Sequence, residues 1–177
     1  LYTWPDRGYN RASLIDYAAR IQKFDLVFRP DYTTRVVGQT QLTLTFKGTT
    51  KITDTNGQPT TAVNPTATTL GSLTNVPVAN GRLTLDAEGL AFAPDGSLYV
   101  SDEYGATILH FAREGRLLGK ISPVRALVPR FAEASGLTGY TTQFKGVDIS
   151  KASDPMVQTG GRRDNQGWEA IDVTPDG

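Results

Sequence analysis

Cysteine is absent from this 177-residue chain, which removes disulfides, thiolate chemistry and cysteine-type zinc sites together. That absence does not argue against secretion. His110 is the single histidine, so a His-based zinc site or a phosphohistidine mechanism lacks its second imidazole. No apolar run approaches the roughly 18 residues of a membrane span. Neither sign of charge is in excess, with 18 Lys plus Arg against 18 Asp plus Glu, so no global field draws the chain to nucleic acid. No Gly-x-Ser-x-Gly elbow occurs, and Ser13, Ser101 and Ser122 have no base partner in view. Both points argue against a serine hydrolase. No signal peptide is present, and a chain that opens inside a strand is expected to have lost its original N-terminus.

What is present is turn-rich β composition. Only 38% of residues are hydrophobic, against 18 glycines and 10 prolines, which points to an all-β fold rather than a helical bundle. The chain is organised around Asp86–Gly105. Two short strands, Gly89 to Ala93 and Leu98 to Asp102, are joined by Pro94-Asp95-Gly96-Ser97. Pro pre-sets φ for the turn, Asp bonds its own backbone, and Gly takes the positive-φ position. If Ala93 pairs with Leu98, Phe92 faces Tyr99, Leu90 faces Ser101 and Glu88 faces Glu103. Two carboxylates then stand across the ladder, with Cβ atoms roughly 5 Å apart. A cation, a shared proton or free water must offset their repulsion.

Glu169-Ala-Ile-Asp-Val-Thr-Pro-Asp-Gly177 repeats Glu88-Gly-Leu-Ala-Phe-Ala-Pro-Asp-Gly96, and Leu1-Tyr2 with Asp6 and Gly8 aligns on Leu98-Tyr99 with Glu103 and Gly105. An internal repeat of this kind marks a propeller or solenoid. Residues 1–4, Arg20 to Phe28 and Gln41 to Lys47 read as strands, the last with Leu42, Leu44 and Phe46 inward. Residues 1–47 are therefore expected to form a partial blade, and the Thr- and Asn-rich residues 48–80 a long surface loop. Within 81–121, strands follow at Ala106 to Ala112 and Arg116 to Ile121, completing a blade of four antiparallel strands. The repeat offset is roughly twice a blade of about 40–45 residues. An insertion at 122–166, less regular and with a short helix near Pro123 to Ala134, accounts for the excess. Residues 167–177 are the first strand of the next blade.

Asp6-Arg7-Gly8 with Asn10, Asp86-Ala-Glu-Gly89, Pro94-Asp-Gly96, Ser101-Asp-Glu-Tyr-Gly105 and Asn165-Gln-Gly-Trp-Glu169, in this order, resemble the phytase-like, or "esterase-like activity of phytase", β-propeller family. The blocks span residues 1 to 177, with Tyr9 and Gln166 departing from the commoner Pro and Arg. The resemblance implies a secreted or periplasmic propeller of about six blades, of which this chain would hold about two. It also implies phosphoric-ester hydrolase activity of the phytase or phosphodiesterase kind.

The first strand of each blade lines the channel of a propeller, and a hairpin returns to the level at which it began. Asp6, Glu88, Asp102, Glu103 and Glu169 are thus expected to gather at one channel mouth. Converging carboxylates suit a hard cation, with Ca²⁺ the candidate, and Glu88, Glu103 and Glu169 are the candidate catalytic groups. A cation there could bind an ester phosphate, polarise it and lower the pKa of a bound water. Arg7, Arg162 and Arg163 in flanking loops are candidate contacts for phosphate oxygens. The competing reading keeps the same carboxylates as strand-end hydrogen-bond acceptors and Arg162-Arg163 as a solvated loop. Asp95 and Asp176 read as turn residues, and His110 as packing or surface. Three functions stay open: a metal-dependent phosphoester hydrolase, a non-catalytic propeller binding module with structural carboxylates, and a lactonase-like propeller hydrolase. The expected partners are a small phosphoester and the remainder of the propeller, as a second fragment of a nicked chain. Nucleic acid and a membrane span are not expected.

Overall fold

The computed structural model describes residues 1–3, 16–32, 41–63, 65, 67–104, 107–127, 130–131, 158–160 and 167–174. Within them the chain is all-β and antiparallel, with one 3₁₀ turn at Arg125–Leu127 as its only helical element. Strands β1 (Tyr2–Thr3), β2 (Arg20–Phe28) and β3 (Leu42–Lys51) form one sheet in that order, and β4 (Ala67–Leu70), β5 (Leu73–Ala79) and β6 (Arg82–Leu83) form a second. Strands β7 (Ala87–Phe92), β8 (Leu98–Asp102), β9 (Thr107–Phe111) and β10 (Leu117–Ile121) make a four-stranded meander, each paired with its sequence neighbour. A short pair, β11 (Arg130–Phe131) and β12 (Gln158–Gly160), lies within the 122–166 region.

Turn chemistry builds the meander. At the β7–β8 connection the amide of Gly96 donates to Ala93 O at 2.9 Å, and Ala93 N donates to Ser97 O at 2.9 Å. The β9–β10 connection repeats this: Gly115 N donates to Ala112 O, and Ala112 N to Arg116 O, both at 2.8 Å. Gly96 and Gly115 sit at φ 85° and 91°, the left-handed position that closes a three-residue hairpin and that side chains resist. Asp95 Oδ1 accepts from Ser97 N at 2.8 Å, as a turn aspartate should.

Period-two alternation fills the core. In β8 and β9, Leu98, Val100, Leu109 and Phe111 point inward, the last three with no exposed surface. The other face carries Tyr99 stacked on His110, centroids 4.4 Å apart, and His110 Nε2 lies 3.0 Å from Ser97 Oγ. His110 is thus a packing residue. The core continues through Ile21, Ile52, Val76, Val78, Leu83 and Leu117, so all three large sheets share it. Thr53 N donates to Gly115 O at 2.9 Å and Leu117 N to Thr53 O at 3.0 Å, tying the end of β3 to the start of β10.

Three expectations are corrected. Residues 48–80 are not a loop: β3 runs on to Lys51, and β4 and β5 form a hairpin that buries Val76 and Val78. Leu42, Leu44 and Phe46 do not point inward, being 51%, 49% and 57% exposed. The central hairpin is one residue out of the expected register, since Phe92 pairs with Leu98 and Ala91 with Tyr99; the turn closes between Ala93 and Ser97 rather than between Ala93 and Leu98. The helical turn near Pro123 is three residues of 3₁₀, and 16–19 has no regular structure. Expectations for Pro5–Asn10, 132–157 and 161–166 fall outside the described residues.

Leu109→Ala should cost about 2–5 kcal/mol through the lost transfer energy and the cavity left behind, read as a lower urea midpoint at unchanged slope. The hydrogen bonds from Ser97 hold Asp95 below the usual carboxylate value of 3.8. A depressed carboxylate adds stability above its unfolded pKa and loses it as pH falls through the folded one. Asp95→Ala should therefore lower the melting temperature by a constant amount above about pH 6 and converge on the parent in strong acid, so that the acid limb below about pH 4 is flatter in the variant.

Candidate functional site

The open end of the β7–β8 hairpin holds the acids. Glu103 N donates to Asp86 O at 2.9 Å, extending the Ala87–Asp102 pairing by one step, so Asp86 stands opposite Glu103. Between Ala87 and Leu90 the register shifts, placing Glu88 and Gly89 against Ser101 alone. This is a β-bulge, a device that re-aims a side chain beside a site. The Gly89 amide turns to Ser101 Oγ at 2.8 Å. The result is a group of three carboxylates, Asp86, Glu88 and Glu103, whose oxygens lie within 4.8 Å of one another. Asp86 and Glu103 are buried, at 5% and 6% exposure, and Glu88 is half-buried. Two unit charges at that separation repel by about 3–4 kcal/mol at an effective dielectric of about 20.

Glycine lets a distant segment close over this end. A Cβ built at Gly89 would lie 2.7 Å from Ile171 N and 2.8 Å from Ser101 Oγ, and one at Gly167 would strike the backbone of Glu103. The 167–174 segment therefore passes against both strands of the hairpin. No ladder pairing involves it among the described residues.

Of the sequence-derived site residues, the structure brings Glu88 and Glu103 together. Asp102, expected as a metal ligand, is fully buried and turns Oδ1 to the Asp86 amide at 3.0 Å. Adjacent acids on a strand face opposite ways, and only Glu103 joins the cluster. Glu169 is exposed and stays outside the three-carboxylate group, although its neighbours Gly167 and Ile171 touch the hairpin. Asp6, Arg7, Arg162 and Arg163 lie outside the described residues. Asp86 was missed because the expected register paired Glu88 with Glu103. The Asp-x-Glu spacing was the available signal, since residues i and i+2 share a strand face. At the other end of the hairpin a cleft of about 470 Å³, lined by Tyr2, Lys23, Phe92, Asp95 and Arg113 among others, separates β1–β3 from the meander.

The model of the family described as "Phytase-like: Esterase-like activity of phytase" matches residues 1–177. The chain belongs to this phytase-like family. It is 31% identical over 192 residues to a protein of Arthroderma benhamiae described as an uncharacterized secreted protein. That match takes in 98% of this chain and 37% of the relative, so the chain spans little more than a third of the relative's length. No solved structure gives a significant match. No described helix is long and apolar enough to cross a membrane.

Gly89→Ala should destabilise the phytase-like chain by about 1–3 kcal/mol, because backbone must move to admit the methyl. It should also shift the emission of Trp168, which lies in the displaced segment. Thermal unfolding followed by tryptophan fluorescence measures both.

Proposed function

We propose that this phytase-like chain forms the acidic site of a secreted, metal-dependent phosphoric-ester hydrolase, with Ca²⁺ held by Asp86, Glu88 and Glu103. The observation that carries this reading is the mutual approach of three carboxylates to within 4.8 Å. Ca²⁺ takes oxygens at 2.3–2.6 Å, so ligands sharing one ion lie within about 5 Å of each other, and the donor set fits. The cation when bound would supply positive charge for an ester phosphate and lower the pKa of a water. Asp86 and Glu103, buried and fixed by the ladder, serve as the rigid ligands. Glu88 is the more accessible acid, and the bulge lets it face both the ligands and solvent. It is placed to take a proton from an attacking water. Glu169, exposed on the segment that passes this end, is proposed to meet substrate or solvent there. Arg7, Arg162 and Arg163 are proposed to bind phosphate oxygens.

In this reading the β7–β10 meander is one blade of a β-propeller of about six blades, with the acids at the channel mouth. The rest of the propeller is the expected partner. The match to a relative described as secreted supports an extracytoplasmic setting. For Asp102 the structural role is favoured, because its carboxylate accepts the Asp86 amide.

Isothermal titration with CaCl₂ should show one site that Glu103→Gln weakens at least tenfold. Turnover of p-nitrophenyl phosphate should require Ca²⁺ and fall by about 10²–10⁴ in Glu88→Gln. A melting temperature unmoved by chelator, together with no turnover, would leave the carboxylates as structural acceptors.

A further inference from the structure

The cleft at the turn end of the β7–β8 hairpin joins aromatic rings to positive charge. Period-two geometry turns Lys23 to the same side of β2 as buried Ile21, toward the meander. Tyr2 stands directly opposite Lys23 on β1. Its ring meets that of Phe92, centroids 4.6 Å apart and tilted by 43°, and Lys23 Nζ lies 5.6 Å from the Tyr2 centroid. On β3 the residue opposite Lys23 is Gly48, and directly opposite residues share a face. A Cβ built at Gly48 meets no atom within 4 Å, so the cleft is open where a side chain would begin to fill it. The far wall is the Pro94–Gly96 turn with Arg113 laid along it: a Cβ on Gly96 would stand 3.5 Å from Arg113 Cδ.

Charge decides what this space suits. Lys23, Arg113 and Asp95 are the charged side chains that line it. Asp95 is already engaged, its Oδ1 accepting from Ser97 N at 2.8 Å. The ion pairs among the described residues join Lys47 to Asp25, Arg82 to Asp16 and Arg116 to Glu114, so neither cation of the cleft has a carboxylate partner there. Its volume of about 470 Å³ falls in the range of roughly 300–1,000 Å³ that small-molecule sites occupy. We infer that the cleft is a second ligand site, apart from the acidic cluster, for a flat apolar monoanion of the aryl carboxylate class. The ligand's ring lies against the Tyr2–Phe92 pair, and its carboxylate takes the fork of Arg113 and the ammonium of Lys23. Two cations against one carboxylate leave one positive charge to be met, which favours a monoanion. The length of the hairpin strands puts this cleft roughly 15–20 Å from Asp86 and Glu103. The inference therefore stands whether or not the acidic site hydrolyses esters.

In an NMR titration of the whole chain, 2-naphthoate should bind with a Kd of about 0.1–1 mM and shift the amides of Gly48 and Gly96. The neutral isostere 2-naphthylmethanol should bind at least about fivefold more weakly, and 2-naphthoate should lose as much in Arg113→Gln or Lys23→Gln, each short of one charge-assisted hydrogen bond. Gly48→Leu fills the opening and should abolish binding at an unchanged melting temperature. Asp95→Asn keeps the turn acceptor, removes a repelling charge and should tighten binding about two- to threefold. Three results overturn the inference. Equal binding of alcohol and carboxylate, or binding that survives Gly48→Leu, means the ring sits on apolar surface elsewhere, such as the outer face of β2 and β3. Preference for 2-naphthylmethylammonium, weakened by Asp95→Asn, makes the cleft a cation site. Binding of 2-naphthyl phosphate about tenfold or more tighter than the carboxylate makes it a phosphoester site.

Discussion

The bulge at Glu88-Gly89 governs the acidic end of the hairpin. An uninterrupted ladder would carry the pairing of Leu90 with Val100 back to Glu88 and Asp102, and Asp86 would fall beyond the last paired residue. One extra residue on β7 instead brings Asp86 opposite Glu103 and leaves Glu88 on the same side. The freed amide of Gly89 is taken up by Ser101 Oγ and that of Asp86 by Asp102 Oδ1. The distortion therefore strands neither donor in the interior, where an unmet hydrogen bond costs about 1–3 kcal/mol. Packing of 167–174 depends on the same residue, because only a glycine at 89 leaves room for the Ile171 amide.

Much of this was legible from residue types. Pro94-Asp95-Gly96 and Arg113-Glu114-Gly115 announce their turns because few residues other than glycine tolerate the φ those positions require. Leu98, Val100, Leu109 and Phe111 alternate plainly enough to give β8 and β9 and their inward face. The register was not legible, since nothing in Glu88-Gly89 distinguishes a bulge from regular strand until the partner strand is known. The β4–β5 hairpin was hidden by its Thr and Asn content. Its signal was Val76 and Val78 at period two, followed by Asn80-Gly81, a tight-turn dipeptide with both residues at positive φ.

The outward face of β2 and β3 shows the limit of pattern reading differently. Alternation located the apolar side of β3 correctly, but this chain's own core lies on the other side of that sheet, where Ile21 is buried. Periodicity tells which residues share a face. It does not tell what the face is for.

The contacts of Gly167 with Glu103 and of Ile171 with Gly89 join stretches far apart in sequence, whereas each strand of the meander pairs with its immediate neighbour. Closing a long loop costs entropy before any contact repays it. The meander can thus nucleate from local hairpins, and the wall of the carboxylate pocket supplied by 167–171 is set in place only after that platform exists. A nascent molecule would carry the clustered acids uncovered for part of its folding time.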